Sequence, residues 1–225
     1  YHDGRIGEMP NNCYSYYPLG TEMLFLLSMA LRGGAYEGVY LAKLIGGAFG
    51  ALAVAGAFFG LGRGGDIRGR FAAVLLATTP WLIALSWTAM VEPAQICFLT
   101  LSLVWLRRWL NEPSLVAAGM LGLLLGAGCT VKYLSIGLGV APVVAVMLAA
   151  CLPRPGRVAH VGLAVALAAA AFAPWLVRNT AYTGNPVFPL ATGTFGRGHW
   201  SAESQQRWQA GHAPEMRPPV PAPPE

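Results

Sequence analysis

Charged side chains are scarce in this sequence. Only 11% of its 225 residues are Asp, Glu, Lys or Arg, whereas 55% are hydrophobic, and the mean hydropathy is +0.50. A soluble domain usually has about a quarter of its residues charged. Uncharged runs follow one another from Val39 to Val177, separated by short loops that hold most of the charge. The scarcity of charge therefore excludes an ordinary soluble domain and indicates an integral membrane protein.

Several signatures of catalysis in soluble enzymes are also missing. The sequence contains no nucleophile elbow, P-loop, dinucleotide fingerprint or His-Glu-x-x-His motif. The four cysteines show no Cys-x-x-Cys spacing, and three lie in apolar runs, so we interpret them as small core side chains. His199 and His212 are too scattered to predict a metal site in the tail, and the sequence leaves open whether a divalent cation binds elsewhere. Any chemistry must therefore rest on isolated polar residues.

Seven apolar segments are present. They are residues 19–31, 39–61, 71–87, 91–110, 114–131, 133–152 and 158–177. Crossing a hydrocarbon core of about 30 Å takes about 20 helical residues, so the first segment, which also carries Glu22, is too short. We predict an all-α integral membrane protein with three parts: an outer-face head with a juxtamembrane helix (1–38), a bundle of six transmembrane helices (39–177), and an outer-face tail with a proline-rich end (178–225).

The distribution of basic residues predicts the topology. The loops after the second, fourth and sixth segments contain seven Arg residues, and the remaining loops between segments contain only Arg32 and Lys132. Basic loops stay in the cytoplasm, so we predict a multi-pass membrane protein whose head and tail emerge on the non-cytoplasmic side. These loops account for the net charge of +5. We therefore predict that the protein's partners are membrane lipids and not nucleic acid.

Two charged residues stand at predicted outer ends of the spans. Glu92 precedes Pro93 at the start of a helix, where a carboxylate indicates a functional site or only favours the positive helix end. Lys132, followed by Tyr133, interrupts a long apolar stretch, so its ammonium either faces water or binds an anion such as phosphate. The alternative is that Lys132 marks a tight turn between two helices.

Four further residues are candidates for binding a substrate. Arg178, next to Asn179, either anchors the helix end or binds phosphate through its forked guanidinium. Glu22 either belongs to the site or caps the short first helix. Tyr14 in the head suits stacking on a sugar and suits a membrane interface equally well.

Four stretches, taken in order, resemble the polytopic, lipid-carrier-dependent glycosyltransferases of the C-type fold, near the bacterial protein mannosyltransferases and the lipid A aminoarabinose transferases. The stretches are PNNCY (10–14) leading to PLGTEML (18–24), TPW (79–81) with TAMVE (88–92), GAGCTVKY (126–133), and APWLVRN (173–179) with GNPVFP (184–189). Their order and spacing carry the resemblance, which implies a transmembrane bundle of the C-type glycosyltransferase kind.

The resemblance also implies a reaction, which is transfer of a sugar from a polyprenyl-phosphate donor by an inverting displacement at the extracytoplasmic face. We predict Glu92 as the catalytic carboxylate. We predict that the substrate is bound by Lys132, Tyr133, Arg178, Asn179, Glu22 and Tyr14.

Two expectations qualify this interpretation. The family's principal acid follows a first transmembrane helix that this sequence lacks. Asp3 and Glu8 are the only carboxylates before Pro18, so we expect that acid upstream of Tyr1. The competing interpretation is a transporter or flippase of a lipid-linked substrate, a class that usually shows internal repeats.

Overall fold

The computed structural model of this chain describes residues 7, 9, 12–61 and 66–212, and this part is helical without a strand. A 3₁₀ turn (Cys13–Tyr16) precedes the first α-helix, and a π-helical segment (Ile136–Val140) leads into α7. The α-helices are α1 (Gly20–Arg32), α2 (Ala35–Gly60), α3 (Ile67–Thr78), α4 (Pro80–Ser86), α5 (Glu92–Asn111), α6 (Leu115–Val131), α7 (Ala141–Cys151), α8 (Val158–Thr183), α9 (Thr192–Phe195) and α10 (Ala202–His212). The predicted all-α architecture is therefore confirmed.

Local sequence signals set several helix boundaries. Helix α6 begins where the Ser114 hydroxyl accepts a hydrogen bond of 3.1 Å from the Ala117 amide, which satisfies a donor that the helix itself leaves unpaired. Helices α1 and α8 end at Gly33 (φ +86°) and Gly184 (φ +72°), and this left-handed conformation favours glycine. Gly184 also begins the turn that the sequence Gly-Asn-Pro predicts.

The predicted segment 71–87 is broken in the structure. Helices α3 and α4 meet at an angle of 62°, and Thr79 between them is extended. Pro80 causes the break, because proline has no N–H for the preceding helix and disfavours helical backbone at the residue before it.

Two predicted part boundaries fall inside helices. Helix α2 begins at Ala35, before the predicted boundary at 38/39, and α8 continues past Val177 to Thr183. Arg178 and Asn179 consequently belong to α8 and not to the tail. Hydropathy marks where a helix meets lipid, but backbone hydrogen bonding can continue beyond that point until a residue such as Gly184 ends it.

Helix length and composition identify the candidate membrane spans. In the described part of the chain, Ala35–Gly60 and Pro155–Thr183 are long and apolar enough to cross a membrane, and the bent pair α3–α4 is a third candidate if it counts as one span. Leu115–Val131 and Ile136–Cys151 are shorter apolar helices. The predicted number of six spans stays a prediction.

The helical bundle has two ends. We call them the Glu92 end and the Arg107 end, because Glu92 is the first residue of α5 and Arg107 lies near its last residue. The Trp109 indole donates a hydrogen bond of 2.9 Å to Nδ1 of His160, so the loop before α8 lies at the Arg107 end. Arg68 at the start of α3 and Arg107 near the end of α5 line one cavity with Leu61, so these arginines and the segment before α8 lie at one end of the bundle.

An apolar cluster fills the Arg107 end. It contains the fully buried Trp109, Leu121 and Met147 together with small residues of α6 and α8. A Cβ atom added to Gly122 would collide with the backbone of Ala164, so glycine permits α6 and α8 to touch. Close contact of this kind is what holds helices together in a membrane, where lipid is as apolar as the side chains.

Candidate functional site

Helices α5 and α6 bring two charged residues together at the Glu92 end. Glu92 is the first residue of α5, and Lys132 follows the last residue of α6. The Lys132 Nζ atom donates a hydrogen bond of 2.7 Å to Oε1 of Glu92, and the side chains are 35% and 29% exposed, respectively. Oε2 of Glu92 is buried and has no hydrogen-bond partner among the described residues. One carboxylate oxygen is thus engaged and the other is not.

A second carboxylate, Glu22, approaches this pair from the first turn of α1. Its Oε2 atom is also buried, with no hydrogen-bond partner in the described part of the chain. Burial raises the pKa of the Glu22 carboxyl; its own backbone N–H and the charge of Lys132 lower that pKa, and Glu92 raises it. Two carboxylates therefore share the field of one ammonium group.

A cavity of about 440 Å³ opens beside this cluster. Its charged lining residues are Glu22 and Lys132, and its aromatic ones are Tyr14, Tyr17 and Tyr133. The rings of Tyr14 and Tyr17 stack with their centroids 5.8 Å apart. The volume lies within the range of about 300–1,000 Å³ that small-molecule sites occupy, and a few charged groups on a largely apolar wall are typical of such sites.

Asn179 holds one wall of the cavity in place. Asn179 is only 1% exposed. Its Nδ2 atom donates hydrogen bonds to the Tyr16 carbonyl at 2.7 Å and to the Tyr133 hydroxyl at 3.0 Å. A side chain whose donors are consumed in this way has little left for a ligand. The Asn179 amide thus fixes the position of the Tyr133 hydroxyl, and its direct contact with a substrate stays a prediction.

Arg178 lies outside the lining of the cavity. Its guanidinium stacks over the rings of Tyr182 (5.3 Å) and Trp175 (5.9 Å) and donates to the Gly7 carbonyl at 3.3 Å and to Oδ1 of Asn179 at 3.4 Å. Its Nε atom is buried without a hydrogen-bond partner among the residues described. Hydrogen bonds connect Arg178 to Tyr133 through Asn179.

The structure thus brings together Tyr14, Glu22, Lys132 and Tyr133 around one cavity, and Glu92 joins them through its ion pair. Sequence reasoning missed the bond between Glu92 and Lys132, because forty positions separate them and no local pattern shows the pairing. It also left Tyr17 out of the site, although the run of tyrosines before Pro18 was a signal. Asp3 and Glu8 lie outside the described residues.

The other predictions for reactive side chains concern cysteine and metal ligands. Cys97, Cys129 and Cys151 are buried and free, as predicted. Among the residues that the structure describes, no three His, Cys, Asp or Glu side chains are grouped as metal ligands.

The described residues form a helical bundle with candidate membrane spans and an ion pair beside a cavity at one end, which is the class of integral membrane proteins. A family model described as "Dolichyl-phosphate-mannose-protein mannosyltransferase" matches residues 17–177 of the chain. Because the match covers more than half of the sequence, the chain belongs to this family of membrane glycosyltransferases, which use lipid-phosphate-sugar donors. The predicted resemblance is confirmed.

The matched range includes Glu22, Glu92, Lys132 and Tyr133, and it ends just before Arg178. No curated protein and no solved structure matches the chain.

Proposed function

We propose that this chain forms the donor-binding part of an enzyme in the plasma (inner) membrane that transfers a sugar from a polyprenyl-phosphate carrier to an acceptor at the extracytoplasmic face. The observation that supports this proposal most directly is the position of Lys132, which bonds Glu92 and also lines the cavity that Glu22 shares. A cation and two carboxylates at a membrane boundary are the groups that transfer from a lipid phosphate requires.

Lys132 is the proposed ligand of the carrier's phosphate. Its ammonium has three N–H donors, and one of them bonds Glu92. The others are available to phosphate oxygens from the cavity side, and such charge-assisted bonds are stronger than neutral ones. We propose Arg178 as a second cation that attracts the phosphate, because no carboxylate among the described residues bonds it. The polyprenyl chain would then lie along the lipid-facing helices.

Glu92 is the proposed catalytic carboxylate. In an inverting displacement the acceptor hydroxyl attacks the sugar carbon, the bond from that carbon to the phosphate oxygen breaks, and the hydroxyl proton passes to a base. Oε2 of Glu92 has no hydrogen-bond partner in the described structure, and in this proposal it is the atom that takes the proton. Because Oε2 is buried and Glu92 does not line the cavity, the acceptor must reach it past Lys132. Tyr14 and Glu22 line the cavity and would orient the sugar and the acceptor.

The test of this assignment is Glu92→Gln in the full-length enzyme, assayed with a polyprenyl-phosphate sugar donor. Loss of a working general base lowers the rate by about 10²–10⁴-fold, and we expect expression to be unchanged since the shape is kept. Glu37→Gln is the matched control, because Glu37 also lies in the first turn of a helix but is exposed. Turnover of Glu92→Gln near that of the parent would refute the catalytic role.

Binding of the carrier tests the phosphate ligands separately. We expect Lys132→Met to weaken binding of a polyprenyl phosphate by roughly tenfold to over a hundredfold, the value of one charge-assisted hydrogen bond of about 1.5–3 kcal/mol. Arg178→Met should weaken it less, because Arg178 lies outside the cavity lining. Parent-like binding by both folded variants would make these residues interface anchors. Movement of the carrier across the membrane of a vesicle without sugar transfer would favour the competing interpretation, a transporter or flippase.

A further inference from the structure

A second polar cavity lies at the Arg107 end of the bundle. It has a volume of about 580 Å³ and is lined by Leu61, Asp66, Arg68, Arg107 and Asn111. These residues come from the end of α2, the start of α3 and the end of α5. The cavity is therefore built where three helix ends converge, and it is separate from the site proposed for the sugar donor.

The charges in this cavity do not balance. Two guanidinium groups, those of Arg68 and Arg107, face one carboxylate, that of Asp66. Oδ1 of Asp66 accepts a hydrogen bond of 2.8 Å from the Arg68 backbone N–H and so caps the start of α3. Neither guanidinium forms a salt bridge with another of the described residues. The lining therefore carries a net positive charge, and the amide of Asn111 adds further donors.

The position of the cavity indicates where its ligand comes from. Helix α5 has 20 residues, so Asn111 lies about 30 Å from Glu92 along the helix axis, close to the thickness of a hydrocarbon core. Large apolar side chains beside the arginines are exposed: Ile67 and Phe71 on α3 are 76% and 63% exposed, and Leu110 on α5 is 41% exposed. Guanidinium groups next to side chains that face lipid lie at the level of lipid head groups.

We propose that this cavity binds the phosphate of an anionic phospholipid from the leaflet at the Arg107 end. The forked guanidiniums of Arg68 and Arg107 match the geometry of a phosphate, and Asn111 supplies an additional donor. Basic cavities between membrane helices bind anionic lipid head groups in this way. The bound lipid would link α3 to α5, two helices that no ion pair between described residues links. This inference is independent of the proposed sugar transfer.

The test is retention of phosphatidylglycerol by the purified full chain, measured by native mass spectrometry after reconstitution in mixed phosphatidylcholine and phosphatidylglycerol. We expect Arg68→Gln and Arg107→Gln each to reduce the apparent affinity by about tenfold or more, and the double variant to lose the lipid. Asn111→Asp places a negative charge at an exposed position of the same cavity and should weaken binding without disturbing folding.

The matched control is the double variant Arg154→Gln, Arg157→Gln. These arginines lie in the loop before α8, at the same end of the bundle, but do not line the cavity. Retention that falls equally in the control and in the cavity variants would overturn the proposal, because the basic end would then attract lipid only through its overall charge.

A second measurement separates a lipid from a soluble ligand. The thermal midpoint of the parent in neutral detergent should rise on addition of short-chain phosphatidylglycerol and should not rise with inorganic phosphate at equal concentration. A rise with inorganic phosphate that the Arg68→Gln, Arg107→Gln variant lacks would assign the cavity to a soluble phosphate compound and refute the lipid site. Parent-like lipid retention by folded cavity variants would also refute it.

Discussion

The two ends of the bundle are held together by different forces. At the Glu92 end, polar groups bind one another: the buried Asn179 amide donates to the Tyr16 carbonyl and the Tyr133 hydroxyl, and the half-buried Lys132 donates to Glu92. At the Arg107 end the core is apolar, and Gly122 brings α6 against α8. A buried polar group stabilises a structure only while its partner is present, whereas small residues act through shape. The difference shows that the polar end is specified residue by residue and is the better place for chemistry.

The largest effect on stability should come from Asn179→Leu, which breaks the polar end. The substitution keeps the approximate size but leaves the Tyr16 carbonyl and the Tyr133 hydroxyl without the amide donor. Each buried group left unpaired costs about 1–3 kcal/mol, and this substitution leaves two, so we expect a clear fall in the thermal midpoint in detergent. Thr180→Val is the matched control, since Thr180 is exposed and bonds only its own helix. Equal stability of the two variants would show that the polar contacts contribute little.

A smaller effect is expected from Gly122→Ala, which tests the apolar end. The added methyl group would collide with the backbone of Ala164, so α6 and α8 must move apart, and overpacking of this kind costs about 1–3 kcal/mol at one site. Gly162→Ala on α8 is the control, because its Cβ would meet open space. Thermal unfolding in detergent measures both. A parent-like Gly122→Ala variant would mean that the helices are not in close contact there.

The smallest expected effect is on the pH dependence of stability, and it concerns Glu22 at the Glu92 end of the bundle. Burial raises the pKa of Glu22 above its ordinary value of 4.5, so the folded state favours the protonated carboxyl. The stability from this group is fully present below the unfolded pKa and is lost as the pH rises through the folded pKa. The Glu22→Gln variant has no carboxyl that titrates at this position, so its stability lacks this pH-dependent contribution. We therefore expect the thermal midpoint of the parent to fall relative to that of Glu22→Gln from acidic to neutral pH; parallel curves would contradict this.

Much of the helical layout was predictable from the sequence, because apolar runs of spanning length leave the backbone few alternatives in lipid. The segments 91–110 and 114–131 correspond closely to α5 and α6. The bend between α3 and α4 in the segment 71–87 was not predicted, since hydropathy does not register how Pro80 interrupts a helix. The boundary at Val177 does not coincide with the end of a helix, because α8 continues until Gly184 ends it; as a boundary of the membrane bundle it stays a prediction.

The candidate site was predictable as a set of residues but not as an arrangement. Glu92 and Lys132 each stood out as charges beside apolar runs, so both were identified from the sequence. Lys132 was expected to meet an outside anion, whereas in the structure its first partner is Glu92. Asn179 was expected to bind substrate, and the structure instead buries it under Tyr133. Neither outcome follows from neighbours in sequence, because the partners come from different helices.

The sequence by itself determined that this chain is a helical membrane protein, where its charges interrupt the apolar runs and which family it resembles. Those properties depend on local composition and on motif order, which a linear chain carries in full. Only the tertiary structure decided that Lys132 bonds Glu92 and lines a cavity with Glu22, that Arg178 lies outside this cavity, and that Arg68 and Arg107 share a second one. The physical reason is that ion pairs, buried hydrogen bonds and cavities form between helices, and their distances are set by how α1, α5, α6 and α8 pack.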